Sequence, residues 1–259
     1  MKIPYYHIDA FASRPFAGNP AGVCVLEAWL PDATLQQIAF ENNLSETAFV
    51  VARTGHYELR WFTPAVEVDL CGHATLAAAF VLFTYLEHPG DVVHFSSRSG
   101  PLTVERDGER LVLDFPSRPP RPCPTPEALV RGLGCRPVEA LCARDYVAVL
   151  ATPAEVAALR PDLAALSELE CLGIIVTAPG EDVDFVSRFF APRAGIAEDP
   201  VTGSAHCSLI PYWSGRLGKT ELTARQLSAR GGELFCQAAG ERVRIGGHAV
   251  AYLRGEIEV

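Results

Sequence analysis

The sequence predicts an α+β protein of two similar domains, each a mixed or antiparallel sheet rolled around a central helix. Three observations predict it. Runs with strand character outnumber helical runs and do not alternate strictly with them, which disfavours a doubly wound sheet. Composition breaks near the middle, where residues 115–126 hold six prolines and no regular periodicity. One short pattern recurs: Cys71-Gly-His-Ala-Thr75 and Thr202-Gly-Ser-Ala-His206 each open an apolar helical run, 131 positions apart. A motif repeated at half the chain length is what a duplicated structural unit leaves behind.

The elements follow in order. Strand character at 5–11 and 23–26 flanks a turn-rich stretch, Arg14-Pro-Phe-Ala-Gly-Asn-Pro-Ala-Gly22. Residues 33–42 read as a short amphipathic helix. Residues 46–52 and 57–62 read as paired strands around Arg53-Thr-Gly-His56. A helix runs from 73 to about 87, and strands follow at 92–96, 101–106 and 110–115. The proline-rich stretch is the expected crossover, with domains at 1–117 and 118–259 and the last strand returning to the first domain. The second half repeats the style. Strands are expected near 137–150, a helical patch at 153–166, and strands near 171–177 and 183–190. A helix starts around 203, and strands follow at 221–229, 233–239, 241–246 and 248–258.

Composition narrows the function classes. The 259 residues are 49% hydrophobic and 20% charged, an ordinary globular balance with enough apolar mass for two cores. A net charge of −9 disfavours a phosphate-backbone footprint, so no nucleic-acid partner is expected. The start of the chain has no long apolar core and alternates like a strand, so no secretory leader is expected. The longest apolar stretch, 74–86, is interrupted by Thr75, Thr84 and Tyr85 and is too short for a bilayer, which needs about 20 residues. Eight cysteines without a C-x-x-C pair read as free thiols in a reducing cytoplasm. No local Cys/His cluster has zinc-ligand spacing, so no metal is expected.

Several residues could carry chemistry. The first turn of a helix offers unpaired N–H groups and a partial positive charge, and a glycine there lets a ligand approach the backbone. Gly72-His73-Ala74 and Gly203-Ser204-Ala205 are therefore candidate anion seats. The plain alternative is that Ser204 and Thr75 simply cap helices. Glu46 sits in Leu44-Ser-Glu-Thr-Ala-Phe-Val50, at the mouth of an apolar strand. Burial turns a carboxylate in such a place into a general base; in water it is only a strand-end charge. Asp199, before a proline, is either a functional carboxylate or a turn residue. His73 can shuttle a proton near neutral pH or be satisfied by backbone. Cys71 is either a thiolate activated by the helix terminus or a small buried residue.

Read together, the segments resemble the phenazine-biosynthesis PhzF-like family. The resemblance rests on His7-Ile-Asp-Ala-Phe-Ala-Ser-Arg-Pro-Phe-Ala-Gly-Asn-Pro-Ala-Gly-Val23, on Ser45-Glu-Thr-Ala-Phe49, and on Arg60-Trp-Phe-Thr-Pro64 followed by Cys71-Gly-His-Ala-Thr75. It continues through Ala191-Pro-Arg193, Glu198-Asp-Pro-Val-Thr-Gly-Ser-Ala205, Leu227-Ser-Ala-Arg-Gly-Gly232 and Val243-Arg-Ile-Gly-Gly-His-Ala249. The resemblance implies the diaminopimelate-epimerase-like fold with the site in an interdomain cleft. It also implies an isomerase without metal or organic cofactor acting on a small carboxylate, and a homodimer. By motif it makes Glu46 the proton-transferring carboxylate, with His73, Asp199 and Ser204 in supporting catalytic positions. Gly72 and Gly203 are expected to bind the substrate carboxylate through backbone, and Asn19 and Cys71 to contact substrate. Related epimerases use two thiols. Here Thr202 stands where the second would precede Gly203, which favours a carboxylate-led isomerisation over an amino-acid epimerase. A non-catalytic binding protein is the reading from another class.

Overall fold

The computed structural model describes all 259 residues, which fall into two compact units: Met1–Asp114 with Gly246–Val259, and Phe115–Ile245. No helix is long and apolar enough to cross a membrane.

The first unit runs β1 (Lys2–Ala10), β2 (Asn19–Leu26), α1 (Asp32–Asn42), β3 (Glu46–Arg53), β4 (His56–Phe62), β5 (Glu67–Val68), α2 (Gly72–Tyr85), β6 (Val92–Ser97), β7 (Gly100–Asp107) and β8 (Arg110–Pro116). The terminal strand Ala249–Glu258 pairs antiparallel with β1. From β1 onward the ladder is antiparallel to β2, parallel to β3, antiparallel to β4, parallel to β6 and antiparallel to β7. Each parallel step needs a crossover, and α1 and α2 supply the two. α2 is apolar on every side, so no face can point to water and the sheet must wrap it. Leu76, Ala77, Ala78, Ala79 and Leu82 are all buried against the strands around it. Burying a leucine of this kind contributes about 1.5–3 kcal/mol. The outer face of the same strands is covered by Leu35, Ile38 and Ala39 of α1, which pack with Cys24, Phe49, Val51 and Phe62. With both faces covered, β3 reads as a continuous apolar run instead of an alternating one.

The second unit runs β9 (Arg121–Pro122), α3 (Glu127–Leu133), β10 (Glu139–Cys142), β11 (Tyr146–Val149), α4 (Pro153–Ala158), α5 (Leu163–Ser167), β12 (Ile174–Pro179), β13 (Phe185–Ala191), β14 (Ile196–Asp199), α6 (Gly203–Leu217), β15 (Glu221–Gln226), β16 (Gly232–Ala239) and β17 (Arg242–Gly247). Its ladder repeats the first. β10 is antiparallel to β11, β11 parallel to β12, β12 antiparallel to β13, β13 parallel to β15, and β15 antiparallel to β16. The short β14 lies on β13 just before α6, as β5 lies on β4 just before α2. The fold is thus α+β, two mixed sheets each rolled around one central helix, and the sequence echo marks equivalent helix starts. Inside this unit Phe185 stacks on Trp213 of α6, whose Nε1 donates to Thr177 Oγ1 at 2.9 Å. Leu129, Val156 and Leu166 of α3, α4 and α5 cover the other face of its strands.

Local departures from the sequence reading have local causes. The run expected at 137–150 is two strands, because residues 143–145 turn, with Ala143 N–H donating to the Asp145 carbonyl. The helical patch at 153–166 is two helices, since Pro161 cannot continue the first. The short α3 and the two-residue β5 and β9 carry too few residues to show a period. The proline-rich stretch is ordered: Ser117 and Arg118 N–H groups donate to the carbonyls of Glu241 and Cys207.

Candidate active site

In the first unit the loop before α2 leaves Cys71 extended at the cap position, with no side-chain cap and no acid in the first turn. Thr75 does not cap the N–H groups; its hydroxyl donates back to the Cys71 carbonyl at 2.6 Å. The first turn therefore has neither an acidic residue nor an oxygen cap, and Ala74 N–H faces the Cys71 sulfur. His73 is 5% exposed. Parallel pairing sets Ala21 opposite Glu46 and so brings the start of β3 beside the start of β2. From there Asn19 and Glu46 reach the two edges of the His73 ring. Asn19 Nδ2 and His73 Nδ1 lie 3.2 Å apart, so the asparagine amide fixes this edge of the ring. Nε2 lies 3.1 Å from Glu46 Oε2. The two are close enough for an ion pair but off hydrogen-bond alignment, so both buried atoms keep hydrogen-bonding capacity to spare.

Cys71 Sγ stands 3.5 Å from His73 Nδ1. Burial, aided by the Glu46 charge, pushes this thiol up to about 11, so burial outweighs the helix terminus and the group is a thiol at neutral pH. Burial also opposes a charged His73, but the neighbouring sulfur and carboxylate outweigh it and hold its pKa well above 6.5. With the thiol protonated near neutrality, Glu46 is the neighbour that sustains the imidazolium. One donor atom each from Glu46, Cys71 and His73 lie within 4.8 Å of one another, a set able to hold a metal ion.

In the second unit Thr202 occupies the cap position of α6, again without a side-chain cap. Its hydroxyl donates to Asp199 Oδ2 at 2.5 Å. Gln226, wholly buried at the end of β15, fixes this turn. Its Oε1 accepts from Thr202 N–H at 2.9 Å, while Nε2 donates to the Asp199 carbonyl at 2.8 Å and to Thr202 Oγ1 at 3.2 Å. Because Thr202 Oγ1 receives a proton from Gln226, its own proton is directed at the Asp199 carboxylate. Ser204 is not a cap either; its Oγ accepts from Arg144 Nη2 at 3.0 Å, and the same Nη2 lies 3.2 Å from the buried Asp145. His206 Nδ1 donates to the Thr202 carbonyl at 2.8 Å, the same device that Thr75 supplies in the first unit.

The candidates therefore gather in two constellations: Asn19, Glu46, Cys71, Gly72 and His73 in one unit, and Asp199, Gly203 and Ser204 in the other. Asn19, expected to contact substrate, lies against His73. Sequence reasoning missed Arg144, Thr202 and Gln226. Arg144 sits in a three-residue turn and Gln226 at a strand end, and neither place has a motif. Thr202 had a signal, since it matches Cys71 in the repeated pattern.

Comparison with known proteins is consistent over the whole chain. A family model described as phenazine biosynthesis-like protein matches residues 8–255. A Pseudomonas aeruginosa protein named as an uncharacterized isomerase is 57% identical over 260 residues, covering 100% of both chains. The crystal structure of a PhzF-family phenazine biosynthesis protein from Enterococcus faecalis matches with a TM-score of 0.98 at 52% identity, covering 100% of both chains. A hydroxyproline epimerase from Agrobacterium vitis shares the fold alone, at 10% identity and a TM-score of 0.61 over 99% of this chain and 92% of that one.

Proposed function

Because the chain belongs to the phenazine biosynthesis-like family, we propose that it is an isomerase that moves a proton on a small carboxylate-bearing substrate, with no metal or organic cofactor. The observation that carries this is the Glu46–His73 pair: a buried carboxylate and imidazole 3.1 Å apart, each with hydrogen-bonding capacity to spare, beside an uncapped helix start. The isomerase name of the Pseudomonas aeruginosa relative supports the reaction class.

The substrate carboxylate docks on first-turn N–H groups at Gly72 and Gly203, where the helix dipole favours an anion. Glu46 then removes a proton from an activated carbon. The His73 cation offsets the cost of holding a carboxylate charge among apolar walls, and Asn19 holds the ring in the orientation that presents Nε2 to Glu46. Asp199 and Ser204 handle the proton and the substrate oxygens from the second unit, so one substrate must meet both constellations. Cys71 contributes as a protonated thiol at the substrate's edge. The homodimer and the cytoplasmic setting belong to the same proposal, on the family resemblance. A two-thiol epimerase fits less well: the second thiol's place holds Thr202, whose hydroxyl is committed to Asp199.

The test is isotope exchange in deuterated water, followed by NMR, across a panel of small carboxylic acids that includes amino acids and dihydro-hydroxyanthranilate. Exchange or rearrangement by the wild type should fall about 10²–10⁴-fold in Glu46→Gln, the usual worth of a positioned acid/base. Exchange at the wild-type rate in Glu46→Gln would remove Glu46 from the proposed role.

A further inference from the structure

The donor set at the start of α2 has a property beyond proton transfer. Thiolate, imidazole and carboxylate together are ligands that zinc and its spectroscopic stand-in cobalt accept. The spacing fits as well. With Zn–S of about 2.3 Å and Zn–N of about 2.0 Å, tetrahedral geometry puts sulfur and nitrogen roughly 3.5 Å apart. Cys71 Sγ and His73 Nδ1 stand 3.5 Å apart already. A second observation points the same way. Glu46 Oε2 and His73 Nε2 are buried and face each other at 3.1 Å but off hydrogen-bond alignment, so the carboxylate keeps capacity for a further partner. All three residues belong to one unit, and their donor atoms lie within 4.8 Å.

We propose that Cys71, His73 and Glu46 form a binding site for a zinc-like divalent cation, with the fourth coordination position open. The two ring nitrogens of His73 face different neighbours, so the ion takes one of them. On the Nδ1 side it sits between His73 and Cys71 and displaces the Asn19 amide. Glu46 now faces Nε2 and completes the set by rotating about its side-chain bonds. The step is a proton exchange without electron transfer: the Cys71 thiol proton leaves to solvent as the sulfur–metal bond forms, and a protonated His73 releases one more. The ion takes the carboxylate that the isomerase reading assigns to proton transfer, so it blocks that reaction. That consequence rests on the reading; the site itself does not.

The experiment adds cobalt(II) to the metal-stripped full chain and needs no substrate, so its failure is distinct from failure of the isomerase reading. One equivalent should give a thiolate-to-cobalt charge-transfer band in the near ultraviolet, with visible bands of tetrahedral intensity, and zinc should abolish both. Cys71→Ser should lose the charge-transfer band. Glu46→Gln and His73→Gln should bind at least about tenfold more weakly, as loss of even an outer partner does in metal sites. The control is Cys123→Ser/Cys142→Ser, which removes a thiol pair in contact elsewhere and should keep the band. X-ray absorption of the wild-type zinc complex, showing one sulfur among nitrogen and oxygen neighbours, tests the site independently of any variant. A wild type with no charge-transfer band at millimolar cobalt, or a band that survives Cys71→Ser, overturns the proposal.

Discussion

His206 should make the protein lose stability on acidification, and its share can be isolated. The side chain is wholly buried in α6, with Nδ1 donating to the Thr202 carbonyl and the Phe185 ring centroid 5.8 Å away. Nε2 has no hydrogen-bond partner, so an added proton there would be a buried charge without an acceptor. Burial accordingly pushes its pKa from 6.5 down to about 4, and the Thr202 carbonyl opposes this only in part. Above the unfolded value both states are neutral and nothing is lost. As pH falls through 6.5 the unfolded chain takes up a proton that the folded chain refuses, and stability drops until the folded site protonates near 4. Two and a half units at 1.36 kcal/mol each set a limit of about 3 kcal/mol, of which about 2.5 kcal/mol is lost by pH ~4.5. The perturbation is His206→Asn, whose Nδ2 can keep the bond to the Thr202 carbonyl but cannot titrate. Urea unfolding of both proteins at pH ~7.5 and ~4.5 gives two stability differences. The variant is less stable at the higher pH because it loses ring packing, and the gap should narrow by about 2.5 kcal/mol at the lower pH. A gap that changes by less than about 0.5 kcal/mol would show that burial does not hold His206 neutral.

Two further outcomes concern the residues that support the second constellation. Gln226→Leu removes the amide hydrogen bonds to Thr202 N–H and the Asp199 carbonyl and strands the buried Thr202 N–H at about 1–3 kcal/mol, so chemical denaturation should show a loss of about 1–3 kcal/mol. Gln226→Glu keeps the acceptor and should lose less. Arg144→Leu strips the buried Asp145 of its cation, and with Arg144 itself one-third exposed the cost should be about 1–3 kcal/mol in thermal unfolding. Adding Asp145→Asn should return more than half of that loss; no recovery would mean that the stranded charge is not what destabilises the variant.

The sequence carried the large features because they depend on patterns that survive without coordinates. α2 is apolar all round, which requires a central position, and the paired Gly-containing helix starts mark the duplication. The polar contacts that organise the candidate site were not legible, because register and not spacing creates them. Asn19 meets His73 across 54 positions, and Arg144 meets Ser204 across 60. An asparagine beside a proline and an arginine in a short turn look like turn chemistry until strand pairing places them. Gln226 was invisible for a similar reason. A glutamine at a strand end is ordinary, and only its complete burial shows that its amide closes the Asp199–Thr202 turn. The metal-ligand set escaped likewise, since Glu46 lies 25 positions before Cys71.

The duplication also explains why the two constellations differ. In each unit the third residue after the opening glycine bonds back to the cap carbonyl: Thr75 to Cys71, and His206 to Thr202. That bond occupies the back-bonding side chain, and neither cap side chain bonds the first-turn N–H groups in the usual capping way. In one unit the cap is a thiol beside an imidazole and a carboxylate, all titratable and dry. In the other it is a hydroxyl locked between an amide and a carboxylate, which orients without titrating. The back-bonding position follows the same division. Threonine serves in the first unit, whereas the second uses a histidine held neutral at physiological pH. An imidazolium at that depth would add positive charge to the positive end of α6, so the depressed His206 pKa lets a basic residue do threonine's work there. Titratable donors are thus gathered around His73 in the first unit, while in the second the Thr202 and Ser204 hydroxyls are oriented by hydrogen bonds to Asp199 and from Gln226 and Arg144.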